Sequence, residues 1–593
     1  MNRSAAAPGS DSLAEKLAPW LGGLLLALPV LIARYPPMTD LPYHESVIAL
    51  LRYRNDPAFS PPGLYHATNF GHPNQLFYLV GWLVSYALPT DWTCKVLVAA
   101  TVVAVAVCAG RLATYLGASR FTALAVAPVA LGWTFLWGLV TNLTGLAALL
   151  FSIPILDRLA EAPSGKNAVK AIGAMALLYL AHEAAMIAAC FVVVIFTLCH
   201  PLFRTPASSN GARANVPIKD TLLRASPAAF ASLLYAAQAL YQRHLMSPTV
   251  RSVPTTYMPF MHKLTTIPGA ILGGHDLTMQ LATFGLFTAC LVGFAVARFR
   301  ARRRDLGLGA RGTLHRFRFE AFAALSLFAY FVMPYTISGA TLVYHRFLPP
   351  AFSVFAVAVA PRGASRVLPR IVRFLAVVLP VGSLLLMWPE FADSDRAYKE
   401  LDALLPLITE GSAVAHMELG SNAPERVYSV AGGGARALAV RGGRLLFSFA
   451  DSPISPVQMT PEYQWNESLR RVAFDAYAFR PAFDCDRYKF IIAHNPGGSI
   501  PRIMERAMLP DARVIGRSGE WLLLESTHVV LPLLSPDAPL PEPHPATLRK
   551  RMKLAYQQML EEEEPGIDPA THPPPAVFDP QEVPDIVGSN NAP

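Results

Sequence analysis

Asp40, His44 and Glu45 fall within one short stretch, Thr39-Asp40-Leu41-Pro42-Tyr43-His44-Glu45, just beyond an apolar run. A carboxylate and an imidazole four positions apart share one face of a helix. Such a pair can orient a base or contribute to a metal site, so a divalent metal is one expectation. Asp40 carries two readings. An acid followed two positions later by proline is a helix-start signature, so Asp40 can be an N-cap. It can also act as a general base at a membrane–water boundary. Both can hold, because a cap fixes the carboxylate in place. Glu45 reads either as a substrate contact or as part of a solvated loop helix.

Further polar residues stand in or beside apolar sequence: His72, Asn142, His182, Glu183, His345 and Arg346. A carboxylate in an apolar run is costly unless paired, so His182-Glu183 either lines a wet cavity or closes a helix–helix hydrogen bond. Arg346 is either a snorkelling arginine or a phosphate contact, since its planar donors suit phosphate. His72, like His66, has no recognised metal spacing and reads as an interfacial hydrogen-bonding residue, with substrate contact as the sharper alternative. These six, with His44 and Glu45, form the candidate substrate-binding set, and Asp40 is the candidate catalytic residue.

The elements that must position them are membrane spans. Over 593 residues the chain is 53% hydrophobic and only 15% charged, too few charges to cover a soluble protein of this size. Apolar runs occupy 17–33, 95–117, 121–137, 139–157, 222–244, 277–297, 318–336, 345–361 and 372–389. Two stretches are ambiguous: 73–89, and 170–200, which can be one helix or two broken near His182-Glu183. Charge decides. Residues 1–389 carry 31 Lys and Arg against 13 Asp and Glu, a net of +18; residues 390–593 carry 19 against 28, a net of −9. If 73–89 does not span and 169–202 is two helices, the basic turns all face the cytoplasm. The resulting expectation is a mainly α fold: a polytopic helix bundle of about eleven spans with a C-terminal extracytoplasmic α/β domain. The net charge of +9 therefore reflects cytoplasmic loops and not a nucleic-acid surface.

The expected organisation is a cytoplasmic N-terminus at 1–16, a membrane domain at 17–390 with a first outer loop at 34–94, an α/β domain at 391–530 and a Pro-rich, largely disordered tail at 531–593. Leu401–Ile408 reads as helix; Ala413–Met417, Phe490–Ala493 and Trp521–Leu524 read as strands. Arg549–Glu564, basic first and acidic last, opposes the helix dipole and reads as marginal. The six cysteines show no disulfide or metal spacing. Walker A, dinucleotide, HExxH and GxSxG signatures are absent, and the Gly432-Gly433-Gly434 run lacks the context of a nucleotide loop.

The layout from 17 to 390 resembles the C-type superfamily of membrane glycosyltransferases, relatives of protein O-mannosyltransferases and bacterial aminoarabinose transferases. The resemblance rests on the span ending at Asp40, an amphipathic outer-loop helix, His72-Pro73, the Arg111–Arg120 stretch, His182 in a broken helix and His345-Arg346 near the last spans. It implies transfer of a sugar from a polyprenyl-phosphate donor to an envelope acceptor at the outer face of the plasma membrane. Asp40 would then be the base, and Arg346, helped by His345, would stabilise the leaving phosphate. Membrane lipids are the other expected partner, and no cofactor is certain. The alternative is a non-enzymatic protein, either a lipid-linked glycan transporter or an envelope assembly scaffold; a third possibility is a family member with the fold and no catalysis.

Overall fold

A computed structural model describes residues 12–66, 69–203, 217–245, 255–302, 317–337, 341–362, 367–419, 431–452, 454–460, 475–494, 500–528 and 546–563. The chain divides into two units. The first comprises 1–33, 71–77 and 95–391; the second comprises 34–70, 78–94 and 392–593. Most of the loop 34–94 thus groups with the C-terminal part of the chain, where the sequence placed it in the membrane domain.

The first unit is helical. Its elements include α1 (Leu13–Ile32), most of α4 (Thr90–Tyr115), α5 (Ala123–Val126), α6 (Trp133–Leu136), α7 (Val140–Glu161), α8 (Gly165–Ala181), α9 (Glu183–Phe203) and α10 (Ile218–Leu245). Beyond these lie Leu277–Arg302, Arg318–Val332, Leu348–Ala358 and the first part of Arg370–Leu404. Among the described residues, five helices are long and apolar enough to cross a membrane: Leu13–Ile32, Thr90–Tyr115, Val140–Glu161, Leu277–Arg300 and Arg370–Leu407. The stretch expected as a span at 121–137 is a series of short α and 3-10 turns. Pro128 withholds an N–H there, and a Cβ at Gly132 would collide with the Ile271 carbonyl. The 170–200 stretch is two helices. His182 separates them in an extended conformation, φ −168° and ψ 129°.

In the second unit α2 (Leu41–Arg52) and α3 (Leu76–Val84, from Tyr78 onward) accompany the C-terminal sequence. α3 has nine residues, roughly 13 Å of helix, well short of a bilayer core of roughly 30 Å. A five-stranded sheet has the order β3-β2-β5-β7-β6, formed by β2 (Ala413–Glu418), β3 (Arg444–Leu445), β5 (Phe490–His494), β6 (Ala512–Ser518) and β7 (Trp521–Ser526). β2 pairs in parallel with β3 and β5; β7 pairs antiparallel with β5 and β6. Central β5 is buried at every position, as a strand covered on both faces must be. A separate pair joins β1 (Tyr65–His66) to β4 (Gln458–Met459).

Two helices differ from the sequence expectation. No separate helix starts at Leu401; Arg370–Leu404 is one helix of 35 residues, closed by a 3-10 turn at Leu405–Leu407. Composition changes at Trp388, but helical hydrogen bonding is local and continues, supported by Lys399–Asp395 at 2.5 Å. The segment expected to be marginal is the helix Leu548–Glu563, with Leu548, Met552 and Ala555 buried. Arg551 meets Asp511 at 2.5 Å and Arg506 meets Glu562 at 2.5 Å, so tertiary partners offset its unfavourable charge order.

Candidate active site

Asp40 begins α2. It occupies the N-cap position, with proline in the first turn, yet its side chain makes no capping hydrogen bond to the helix. The carboxylate is half-buried. Its turn is held from outside: a Cβ at Gly432 would overlap the Thr39 carbonyl and press on Pro42. The glycine run is therefore a close-packing device at the start of the helix Gly433–Arg441.

Around Asp40 the next turn is aromatic. Tyr43 stacks on Phe449 with centroids 5.1 Å apart, and His44 lies edge-on to Phe449 at 4.9 Å. His44 Nδ1 is 2.7 Å from the Tyr78 hydroxyl. Burial pushes the Tyr43 and Tyr78 hydroxyls up, and the Asp40 charge adds to both shifts. Among the described residues, no three His, Cys, Asp or Glu side chains are grouped to hold a metal ion.

Glu45 is neither solvated nor open to a ligand. It is fully buried. Its Oε2 accepts from the Tyr35 hydroxyl at 2.8 Å, and its Oε1 meets Arg436 Nη1 at 2.5 Å and Thr90 Oγ1 at 3.3 Å. Arg436 also contacts Asp402 at 3.2 Å and Asp91 at 3.6 Å. Arg34 meets the same two acids, at 2.6 and 3.1 Å. Burial pushes the Glu45 carboxyl up, against the opposing pull of Arg436. Three acids and two arginines thus tie α2, the start of α4, the end of the helix Arg370–Leu404 and the helix Gly433–Arg441 together within the second unit.

The first unit holds the remaining six candidates. His182 is buried at the α8–α9 break, and its Nδ1 accepts from the Ala184 N–H at 3.1 Å, with Asn142 Nδ2 at 3.5 Å. A nitrogen that accepts is unprotonated, so the ring proton of neutral His182 sits on Nε2. The break is shaped by Gly145 on α7, where a Cβ would stand 2.6 Å from His182 Cβ. The Glu183 backbone N–H donates to Asn74 Oδ1 at 2.9 Å, and the Glu183 carboxylate lies 3.9 Å from Arg346 Nη1. Arg346 Nη2 also donates to the Thr341 carbonyl at 3.2 Å. Asn142, His182, Glu183 and Arg346 therefore form one polar group.

His345 is stacked on Trp133, with centroids 3.9 Å apart and planes 10° from parallel. His72 lies against α10: Nδ1 is 2.8 Å from Gln238 Oε1, and the ring stacks on Tyr241 at 4.6 Å.

Sequence reasoning missed Arg436, Asp91 and Asp402, whose partners are remote in sequence. It also missed Lys263, which is buried. Its Nζ donates to the carbonyls of Phe331 at 2.9 Å and Met333 at 2.7 Å, closing the C-terminus of Arg318–Val332. A charged residue inside a stretch of small residues, as in Gly433-Gly434-Ala435-Arg436-Ala437, was the one available signal.

No protein-family model matches the sequence, and no curated protein matches it. Among solved structures, the chain is similar to ArnT from Cupriavidus metallidurans bound to undecaprenyl phosphate, at 12% identity and a TM-score of 0.38, over 86% of this chain and 98% of that one. It is also similar to the apo oligosaccharyltransferase of Archaeoglobus fulgidus, at 11% identity and a TM-score of 0.40, over 82% of this chain and 70% of that one. The archaeal oligosaccharyltransferase AglB from the same organism, in complex with an inhibitory peptide and a dolichol-phosphate, is similar at 10% identity and a TM-score of 0.39, over 82% and 70%.

Proposed function

We propose that the protein is a multi-pass membrane glycosyltransferase that moves a sugar from a polyprenyl-phosphate donor to an envelope acceptor at the extracytoplasmic face. In this reading about eleven segments cross the plasma membrane, the N-terminus is cytoplasmic and the acidic C-terminal domain lies outside.

The observation that carries the reading is the state of Asp40. Its carboxylate stands at a helix start without being used to cap that helix, and α2 is anchored by the buried Glu45–Arg436 pair. A half-buried carboxylate at the start of an anchored helix suits a general base. Asp40 takes the proton of the acceptor hydroxyl as its oxygen bonds to the anomeric carbon. The bond from that carbon to the phosphate oxygen breaks, and the phosphate leaves with the electron pair. The cation assigned to the developing phosphate charge is Arg346, whose guanidinium lies beside Glu183. His182, Asn142, His345, His72 and His44 contribute polar and aromatic contacts to substrate. Glu45 acts by positioning α2 and not by touching substrate.

The test is transfer of radiolabelled sugar from polyprenyl-phosphate donors by membranes holding the full chain. Asp40→Asn is expected to lower transfer by about 10²–10⁴-fold while the melting profile of the purified protein is kept. Wild-type turnover by that variant overturns the base assignment. A wild-type chain that binds glycolipid without transferring any sugar favours the transporter or scaffold reading.

A further inference from the structure

At one end of the helical unit, α1, α4 and α7 enclose a cavity of about 580 Å³, within the range of ligand pockets, roughly 300–1,000 Å³. Its lining includes Lys16, Arg111, Arg120 and Arg158. Lys16 is in the first turn of α1, Arg111 near the end of α4 and Arg158 near the end of α7. Three candidate spans thus bring cations to one level. One acid, Glu161, also lines the cavity, and its Oε1 accepts from Arg318 Nη2 at 3.3 Å. Among the described residues, Lys16, Arg111 and Arg158 form no ion pair. The two guanidinium groups are held by rings: Arg111 lies 4.0 Å from the Phe151 centroid and Arg158 lies 5.3 Å from that of Tyr115. Trp20, half exposed, adds an apolar wall.

Like charges gathered around one cavity repel each other unless an anion sits among them. Planar guanidinium donors favour phosphate, and an indole beside them favours the membrane–water boundary. We propose that this cavity binds a phosphate group with net negative charge, carried by an anionic phospholipid headgroup or by a soluble phosphate compound. The site belongs to the basic end of the bundle and uses none of the residues proposed for sugar transfer.

The test uses the purified full chain in detergent. Thermal unfolding is followed while dioctanoyl phosphatidylglycerol, dioctanoyl phosphatidylcholine or inorganic phosphate is added. Phosphatidylglycerol is expected to raise the midpoint in a saturable way, and phosphatidylcholine is not. If inorganic phosphate alone gives the rise, the ligand is a soluble anion. The double variant Arg111→Gln, Arg158→Gln is expected to need at least about tenfold more ligand for the same shift. Should that variant fail to fold, Thr114→Trp, which fills the cavity and keeps its charges, is expected to lose the response. Lys219→Gln, at an exposed cation on α10, is expected to keep it. Equal response to both lipids, no response to phosphatidylglycerol or phosphate, an unchanged response in the double or filled variant, or its loss in Lys219→Gln each overturns the proposal.

Discussion

Arg436 and Glu45 meet at 2.5 Å although 391 positions separate them in the chain. Neither side chain reaches solvent to a meaningful degree: 5% of the arginine and none of the glutamate is exposed. Removing one partner of such a pair strands the other without water. Arg436→Met is therefore expected to destabilise the second unit by about 3–5 kcal/mol, and Glu45→Gln to cost less because the amide still accepts from Tyr35. A double-mutant cycle read by thermal unfolding checks this; independent, additive effects would contradict it.

Asp40→Ala is expected to behave differently. Loss of a capping carboxylate ordinarily costs about 0.5–2 kcal/mol, but the Asp40 side chain makes no capping bond. The cap contribution is therefore absent, and the replacement should cost less than about 2 kcal/mol, the upper end of that range, measured by the same melts. A larger loss would show that the residue serves the fold.

His494 should make the C-terminal sheet sensitive to pH. It is buried on β5, 2.9 Å from Glu418 and 3.5 Å from Glu520, with Trp521 and His416 as its other neighbours. Burial lowers its pKa, but the Glu418 and Glu520 contacts outweigh burial and hold it above the usual value. Folding therefore favours the protonated ring. That contribution is complete below about pH 6.5 and is lost as pH rises through the higher folded pKa. Melting midpoints should fall as pH rises above about 6.5 in the wild type, and His494→Gln should flatten that slope. A variant with the wild-type slope would exclude His494 as its source.

Two glycines in the helical unit should respond in opposite ways to alanine. At Gly145 a Cβ would stand 2.6 Å from His182 Cβ, so Gly145→Ala should cost about 1–3 kcal/mol by forcing the break apart. At Gly173, inside α8, nothing lies within 4 Å of a Cβ. Gly173→Ala should stabilise by about 0.5–1 kcal/mol through helix propensity. Parallel melts of the two variants decide, and equal effects would remove the special role of Gly145.

What the sequence determined by itself was local. Apolar runs located most helices of the first unit, the 121–137 stretch excepted, and the polar pair His182-Glu183 marked a real break between α8 and α9. Short β-rich apolar runs located β2, β5 and β7 to within a residue or two. These signals are legible because hydrogen bonding and side-chain periodicity act over a few neighbouring positions.

The tertiary structure decided which distant charges meet. Glu45 read as a substrate contact or a solvated loop-helix residue and proved to be the buried partner of Arg436, with Asp91, Asp402 and Arg34 completing the group. Lys263, which has no distinguishing signal in the sequence, closes a helix end. The loop 34–94 read as part of the membrane half, and most of it groups with residues 392–593. An ion pair has no sequence period: a charge is attracted to whatever opposite charge the packed chain brings within a few ångströms, and the low dielectric around it sets the strength.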